Sequence, residues 1–317
     1  MHALTEPSDY LRIVLFVGLA LMIVMPMRVS ALPSSNQTPY DLEGVRIALW
    51  TGAGALQSSV IALDCMFSWM NATVVHTNQS HVLQGGLDGF DIVVFPGGTT
   101  SSYSQSLGTT GRQIIRDFVS HGGSYFGICG GSLFATRYRL DLFNGSCFGP
   151  VAGSGSYMMN MSVNRESTGP DLSEEPETYE ILYWGSVYFS SSNMTGIIPI
   201  VTYSNGNPAM IAFHFDSGTV FLSSPHPEYE ENDARDGTTD FDYLDDSDSE
   251  WGFLLKVSRW LVDASPEPST TQTSTQTSTG TTTNNAGMGI PVEQMVIGLL
   301  GVIGIVAVIT VVILKHR

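Results

Sequence analysis

The sequence predicts an α/β fold with a doubly wound, mostly parallel sheet and a strand-rich second half. In residues 45–128, apolar runs typical of buried strands alternate with segments whose apolar residues recur every three or four positions. Two glycine-rich turns, at residues 96–98 and 127–131, each directly follow an apolar run. Both turns are therefore expected at the carboxyl edge of the sheet, where ligand sites form in folds of this class.

The first half of the predicted domain contains four strands and two helices. The strands are predicted at residues 45–50, 72–75, 91–95 and 124–128, and the helices at residues 56–70 and 111–120. The third strand is continuously apolar, which is typical of a parallel strand covered on both faces. In the first helix, Val60, Leu63, Phe67 and Met70 are three or four positions apart and form its predicted buried face.

The second half is richer in strands. Strands are predicted at residues 156–163, 181–189, 197–203, 209–215 and 219–224, and a last amphipathic helix at residues 251–262. Before this helix lies an acidic stretch, residues 228–250, in which Asp242, Asp245, Asp246 and Asp248 invite a calcium interpretation. The stretch lacks the glycine and glutamate placement of an EF-hand loop. The pattern favours a solvated acidic loop, and no metal or cofactor is predicted.

Composition and charge limit the classes of partner. The chain has 317 residues and a formal net charge of −17. Its lysines are Lys256 and Lys315 alone, and no basic stripe occurs. Because binding to nucleic acid depends on basic groups that neutralise phosphates, no nucleic-acid partner is expected.

The N-terminal apolar segment indicates export. Residues 13–27 are followed by small residues that end at Ala31, a pattern typical of a secretory signal peptide over residues 1–31. Glu6 and Asp9 deprive this leader of its usual positive charge, so an uncleaved N-terminal anchor is an alternative.

A transmembrane helix is predicted at residues 291–314. Residues 295–314 are almost uniformly apolar and, at about 1.5 Å per residue, are long enough to cross a hydrocarbon core of roughly 30 Å. The basic residues 315–317 predict a cytoplasmic tail, so a single-pass protein of the cell membrane with its folded domain outside is expected. A processed C-terminal sorting signal is the main alternative, whereas the uniform apolarity disfavours a buried core helix.

The remaining residues divide into a lead-in at 32–41, a folded domain at 42–264 and a Ser/Thr-rich stalk at 265–290. Sequons for N-linked glycans occur at Asn36, Asn71, Asn78, Asn144, Asn160 and Asn193. Together with the terminal segments, they predict a glycosylated cell-surface protein.

The predicted chemistry centres on Cys129. Residues 127–131 have the pattern G-x-C-x-G between a strand and a helix, as in a nucleophile elbow, which exposes its central side chain. A glycine-rich turn around a buried cysteine is the alternative. An oxyanion that develops beside the thiol needs N–H donors, which are predicted from Gly130 and from either Gly97 or Gly98.

His226 and Glu228 follow the last predicted strand. A thiol that attacks an amide needs a base to take its proton, and the base needs a partner that orients it. We therefore predict Cys129 as nucleophile, His226 as base and Glu228 as its partner. The other two cysteines, Cys65 and Cys147, are then the pair left to form a disulfide, with two buried free thiols as the alternative.

At these motifs the chain resembles the class I glutamine amidotransferase-like superfamily, over residues 45–262. The matching segments are FPGG at residues 95–98, GICGG at residues 127–131 and PHPE at residues 225–228. It looks closer still to the branch named after the N-terminal region of biotin–protein ligase, through residues 51–54, 91–137 and 183–189. The resemblance implies a flavodoxin-like sheet and a Cys-His-Glu triad at Cys129, His226 and Glu228.

The function predicted from these features is that of a membrane-anchored extracellular amide hydrolase. It would act on a small amide or peptide through a thioester intermediate. One alternative is a non-catalytic surface module that retains the pocket and binds a ligand without turnover. Another is a structural surface protein in which the stalk and the glycans matter most.

Overall fold

Eleven strands and five helices make up the computed structural model of the chain, which describes residues 41–265 apart from residues 232 and 247. The strands are β1 (Arg46–Trp50), β2 (Thr73–Thr77), β3 (Ile92–Phe95), β4 (Ser124–Ile128), β5 (Ser146–Phe148), β6 (Ser156–Val163), β7 (Thr178–Trp184), β8 (Tyr188–Ser190), β9 (Ile198–Thr202), β10 (Pro208–Phe215) and β11 (Gly218–Ser223). The helices are α1 (Gln57–Trp69), α2 (Gln79–Leu83), α3 (Thr100–Ser120), α4 (Gly130–Phe134) and α5 (Trp251–Asp263), with a 3₁₀ turn at Ala234–Asp236.

The order of the strands confirms the predicted α/β fold with its strand-rich second half. Nine strands form one sheet in the order β2-β1-β3-β4-β11-β10-β9-β6-β7, and β5 pairs with β8 separately. The first five strands of the sheet are parallel, and their order corresponds to the 2-1-3-4-5 order of flavodoxin-like sheets. The other four continue the sheet through antiparallel pairs.

Helices cover both faces of the parallel part of the sheet. Because side chains alternate along a strand, Ile47 and Leu49 of β1 enter the core beneath α1 and α5. Ala48 and Trp50 enter the core on the other face, beneath α3 and α4. Burial on both faces explains why β3 is apolar at every position.

Several elements differ from the prediction, including the short strand β5, which was not predicted. Helix α3 is kinked at Gly108, whose backbone is not helical (φ 60°, ψ −164°); the predicted helix at residues 111–120 corresponds to the part after the kink, and the part from Thr100 to Leu107 was not predicted. The short helix α2 was not predicted, and its N-terminal signal is the Asn78 side chain, which accepts a 3.1 Å hydrogen bond from the His81 amide. The predicted strand at residues 181–189 is divided between β7 and β8 around Gly185, whose φ is 54°.

The predicted signal peptide and the apolar segment at residues 295–314 lie outside the described residues. Within residues 41–265, no helix combines the length and the apolar character that crossing a bilayer requires. Membrane anchoring therefore stays a prediction from sequence.

Candidate functional site

Cys129 lies at the sharp turn between β4 and α4. Its backbone adopts φ 46° and ψ −110°, a conformation that residues with a side chain rarely occupy. The Cys129 amide donates a 2.8 Å hydrogen bond to the Ser223 carbonyl at the end of β11, which fixes the turn to the neighbouring strand. The thiol is partly exposed. This is the geometry of a nucleophile elbow.

Glycines beside Cys129 allow two backbone turns to meet. A Cβ atom on Gly130 would collide with the backbone of Gly98, and one on Gly131 would collide with the carbonyl of Phe95. The glycine-rich turn after β3 and the elbow after β4 therefore pack directly against each other. This contact explains the glycines that both motifs carry.

His226 and Glu228 follow β11 at the same edge of the sheet. The His226 amide donates a 2.9 Å hydrogen bond to the Leu182 carbonyl, which anchors the segment to β7. Nδ1 of His226 lies 3.0 Å from Oε1 of Glu228, and both side chains are completely buried. The other ring nitrogen, Nε2, makes no regular hydrogen bond to any described residue.

The charges of this cluster shift the pKa values of the thiol and the imidazole in opposite directions. Burial is the largest influence and raises the pKa of the Cys129 thiol, but the charge and hydrogen bond of His226, together with the Gly130 amide, lower the net pKa. Burial is the largest influence and lowers the pKa of His226, but the negative charges of Glu228 and the Cys129 thiolate and the hydrogen bonds to both together raise the pKa to about 10. Both shifts favour a thiolate–imidazolium pair.

The thiol pKa values of the other two cysteines are raised rather than lowered. Burial raises the pKa of Cys65, with a further contribution from Asp64, and burial raises the pKa of Cys147 to about 12. Cys65 belongs to α1, which covers one face of the sheet, whereas Cys147 belongs to β5 and packs against the core on the other face. Both thiols are free, so the disulfide between Cys65 and Cys147 is not present in this structure.

Ser59, in the first turn of α1, connects the parts of the site and was not predicted. Its buried hydroxyl donates a 2.7 Å hydrogen bond to Oε1 of Glu228 and accepts a 2.9 Å hydrogen bond from the Gly97 amide. Glu228 Oε1 is therefore held by both Ser59 and His226. The sequence offers one signal for Ser59, namely a polar side chain on the buried side of an amphipathic helix.

The hydrogen bond from the Gly97 amide to Ser59 decides which of the predicted amides are available to an oxyanion. The Gly97 amide is occupied by Ser59, whereas the Gly98 amide donates to no other atom of the described residues. The Gly130 amide is oriented toward the Cys129 sulfur, where it helps to lower the pKa of the thiol. The geometry thus favours Gly98 and Gly130 as the two donors over Gly97.

Aromatic rings enclose the imidazole. The ring centres of Trp184 and Tyr229 lie 5.4 Å and 5.7 Å from that of His226, and Phe241 packs 5.1 Å from Trp184. Trp184 is 38% exposed, so it forms the solvent-facing side of this enclosure. Trp184 lies in the segment at residues 183–189 on which the family resemblance was partly based, but no role in the site was predicted for Trp184, Tyr229 or Phe241, because they come from three separate segments.

The prediction that residues 228–250 form a solvated acidic loop is wrong. Several of its acidic side chains are buried, namely Glu228, Glu230, Glu231, Asp236, Asp246 and Glu250. These side chains are buried because Tyr229 and Phe241 pack with Ala62 of α1 in one hydrophobic cluster, which holds the stretch against the domain. In addition, Nε1 of Trp251 donates a 3.1 Å hydrogen bond to the Glu228 carbonyl. The stretch is thereby held against the domain beside the candidate site.

The predicted glycosylation sites that the structure describes are all exposed, namely Asn71, Asn78, Asn144, Asn160 and Asn193. Asn36 lies outside the described residues. Glycosylation of these side chains stays a prediction.

Comparison with known proteins gives two relatives by sequence. The chain is 25% identical over 180 residues to a biotin–protein ligase of Schizosaccharomyces pombe, covering 48% of this chain and 28% of that protein. It is 30% identical over 158 residues to an uncharacterized protein of Chlamydia muridarum, covering 44% of this chain and 60% of that protein. The chain thus spans less than two thirds of the length of either relative.

Among solved structures, a glutamine amidotransferase of Thermotoga maritima is similar at a TM-score of 0.46 and 15% identity, covering 70% of this chain and 90% of that one. The PurLQS structure from the same organism gives a TM-score of 0.46 at 18% identity, covering 68% of this chain and 98% of the matched one. By sequence, residues 87–250 match the family described as biotin-protein ligase, N terminal. This match confirms the resemblance predicted from the motifs, and the chain belongs to the family of the biotin–protein ligase N-terminal region.

Proposed function

We propose that this chain is a cysteine amide hydrolase that acts on a small amide or peptide through a thioester. The observation that supports this most strongly is the buried series of side chains from Ser59 through Glu228 to His226, which ends beside a thiol of lowered pKa. A structural cysteine needs no such series, because a buried thiol is stable without a charged partner.

In the first half of the proposed reaction, the Cys129 thiolate attacks the carbonyl carbon of the amide. The carbonyl oxygen becomes an oxyanion and accepts hydrogen bonds from the amides of Gly98 and Gly130. The imidazolium of His226 gives its proton to the nitrogen of the leaving amine. The carbon–nitrogen bond then breaks, which leaves an acyl thioester on Cys129.

In the second half, His226 accepts a proton from a water molecule that attacks the thioester carbonyl. The carbon–sulfur bond breaks, a carboxylic acid leaves and Cys129 returns to the thiolate. In both halves, the role of Glu228 is to orient the imidazole and to stabilise its positive charge.

The proposed substrate is small because Cys129 is only partly exposed and the proposed base, His226, is enclosed by Trp184 and Tyr229. Nucleic acid is not among the proposed partners, in keeping with the net charge of −17. The proposed location is the outer face of the cell membrane, with residues 295–314 as the anchor. The apolar character of that segment and the exposed sequons support this location.

Trapping of the acyl intermediate tests the proposed reaction. The full-length chain is incubated with a panel of small amides and short peptides, and released ammonia or amine is measured together with the mass of the Cys129 peptide. We expect turnover of at least one compound and an acyl adduct on Cys129, both lost in Cys129→Ala and retained in the matched control Cys65→Ala. Binding of a compound by wild-type and Cys129→Ala chains alike, without release of amine, would instead establish the non-catalytic binding module.

A further inference from the structure

Three carboxylates converge just before α5. Asp246, Asp248 and Glu250 each offer an oxygen atom, and these three atoms all lie within 4.8 Å of one another. Asp246 and Glu250 are buried, whereas Asp248 is exposed and gives the cluster an opening to solvent. None of these side chains has a role in the proposed hydrolysis.

The buried carboxylate of Glu250 supplies an independent indication of a cation-binding site. Its side chain is directed into the cluster and is only 2% exposed, yet its Oε1 has no hydrogen-bond partner among the described residues. Glu231 is similar, since it is 7% exposed and its Oε1 also lacks a partner in the described part of the chain. Buried carboxylates normally need a compensating charge.

The basic side chains nearby bind other carboxylates. Arg235 pairs with Glu230 at 2.6 Å, and Lys256 pairs with Glu175 at 2.6 Å. No ion pair with Glu250 occurs within residues 41–265 as described. The helix terminus does not explain its position either, because the Glu250 side chain makes no capping hydrogen bond to α5.

We propose that Asp246, Asp248 and Glu250 bind one Ca²⁺ ion. An all-oxygen, all-carboxylate set selects a hard divalent cation. Mg²⁺ usually keeps several water ligands and is held by only one or two carboxylates, whereas Ca²⁺ accepts six to eight oxygen ligands and readily takes more carboxylates. A set of three carboxylates therefore favours Ca²⁺. The proposed site is independent of the proposed hydrolysis.

Thermal unfolding in the presence of metal tests this site. The full-length chain is treated with EDTA, transferred to metal-free buffer and melted alone, with CaCl₂ or with MgCl₂, while isothermal titration measures bound Ca²⁺. At a Ca²⁺ concentration about 100 times the dissociation constant, we expect the Tm to rise by about 5–10 °C, with a smaller rise for Mg²⁺. Glu250→Gln and Asp248→Asn should each abolish the rise. The matched control is Asp240→Asn, which removes an exposed carboxylate from the same stretch and should retain the full rise.

Two results would overturn the proposal. One is a Ca²⁺-dependent rise that persists unchanged in both Glu250→Gln and Asp248→Asn, because the ion would then bind elsewhere. The other is the absence of bound Ca²⁺ in the wild-type chain. Asp248 is exposed, so Asp248→Asn keeps the test valid even if Glu250→Gln fails to fold.

Discussion

The Ser59 hydroxyl and the His226 imidazole share one oxygen atom of Glu228. Ser59 Oγ lies 2.7 Å and His226 Nδ1 lies 3.0 Å from Oε1 of that carboxylate. The same hydroxyl holds the Gly97 amide at 2.9 Å, so it joins α1, the turn after β3 and the segment after β11. Ser59 is therefore a positioning residue for the proposed triad.

Removal of the Ser59 hydroxyl should lower the reactivity of Cys129. In Ser59→Ala the carboxylate loses a donor and the buried Gly97 amide loses its acceptor, at a cost of roughly 1–3 kcal/mol in stability. We expect a roughly 10-fold slower alkylation of Cys129 at neutral pH, equivalent to about 1.4 kcal/mol. Ser58→Ala is the matched control. Ser58 lies beside Ser59 on the same turn of α1, but its hydroxyl hydrogen-bonds to Tyr229 and not to Glu228. Equal alkylation rates in Ser59→Ala and Ser58→Ala would remove the positioning role.

Neutralisation of Glu228 should change the pH dependence of the thiol. The Glu228 charge raises the pKa of His226, and the His226 charge lowers the pKa of Cys129. In Glu228→Gln the imidazolium loses its stabilising partner, so the pKa of His226 falls and the pKa of Cys129 rises. The alkylation profile of Cys129 should therefore move to higher pH, while Asp240→Asn leaves it in place. A profile unchanged by Glu228→Gln would show that the carboxylate does not act on the thiol.

A methyl group at Gly130 should separate the two turns of the site. The added Cβ would collide with the backbone of Gly98, so Gly130→Ala should displace both proposed oxyanion donors. We expect a loss of turnover of about 100-fold or more, the scale seen when an oxyanion donor is lost, and a lower Tm. The control is Gly252→Ala in α5, where a Cβ has open space and the gain in helix propensity is about 1 kcal/mol. Full activity in Gly130→Ala would exclude this arrangement of donors.

The buried acid Glu231 should make the domain less stable as pH rises. Burial raises the pKa of Glu231 to about 8, well above the ordinary glutamate value of 4.5. A carboxyl group with a raised pKa stabilises the fold fully below its unfolded pKa, and this contribution is lost as pH rises toward the folded pKa. In EDTA, Glu231→Gln should therefore reduce the fall in unfolding free energy between pH 5 and pH 8, by on the order of 2 kcal/mol. An identical fall in wild type and variant would show that Glu231 ionises freely.

The parallel half of the sheet was predictable because its strands have an apolar centre and most of them end at a turn with a distinct composition. Strand β4, for example, was predicted with its observed bounds, and the glycines that follow it mark the elbow of Cys129. His226 and Glu228 could be placed at the same edge because they end the last strand. Local sequence pattern and tertiary structure agree at these positions.

The contacts between distant segments were not predictable. Ser59 lies 169 positions from Glu228 in sequence, and its place on the buried side of α1 indicates a polar contact but not the partner. The burial of the acidic stretch likewise depends on Tyr229 and Trp251, whose packing against the domain overrides the hydrophilic composition around them. In both cases the deciding interaction is tertiary, which a single sequence does not display.

The most direct test of the proposed triad is the alkylation rate of each cysteine in the full-length chain, measured across a pH series and assigned by peptide mass. We expect Cys129 to be alkylated at lower pH than Cys65 and Cys147, and we expect His226→Ala to move the alkylation profile of Cys129 to higher pH. The contrary result is a Cys129 that reacts only at the pH of an ordinary thiol, or whose profile is the same in His226→Ala. In that case the thiolate–imidazolium pair, and the hydrolysis proposed from it, would be contradicted.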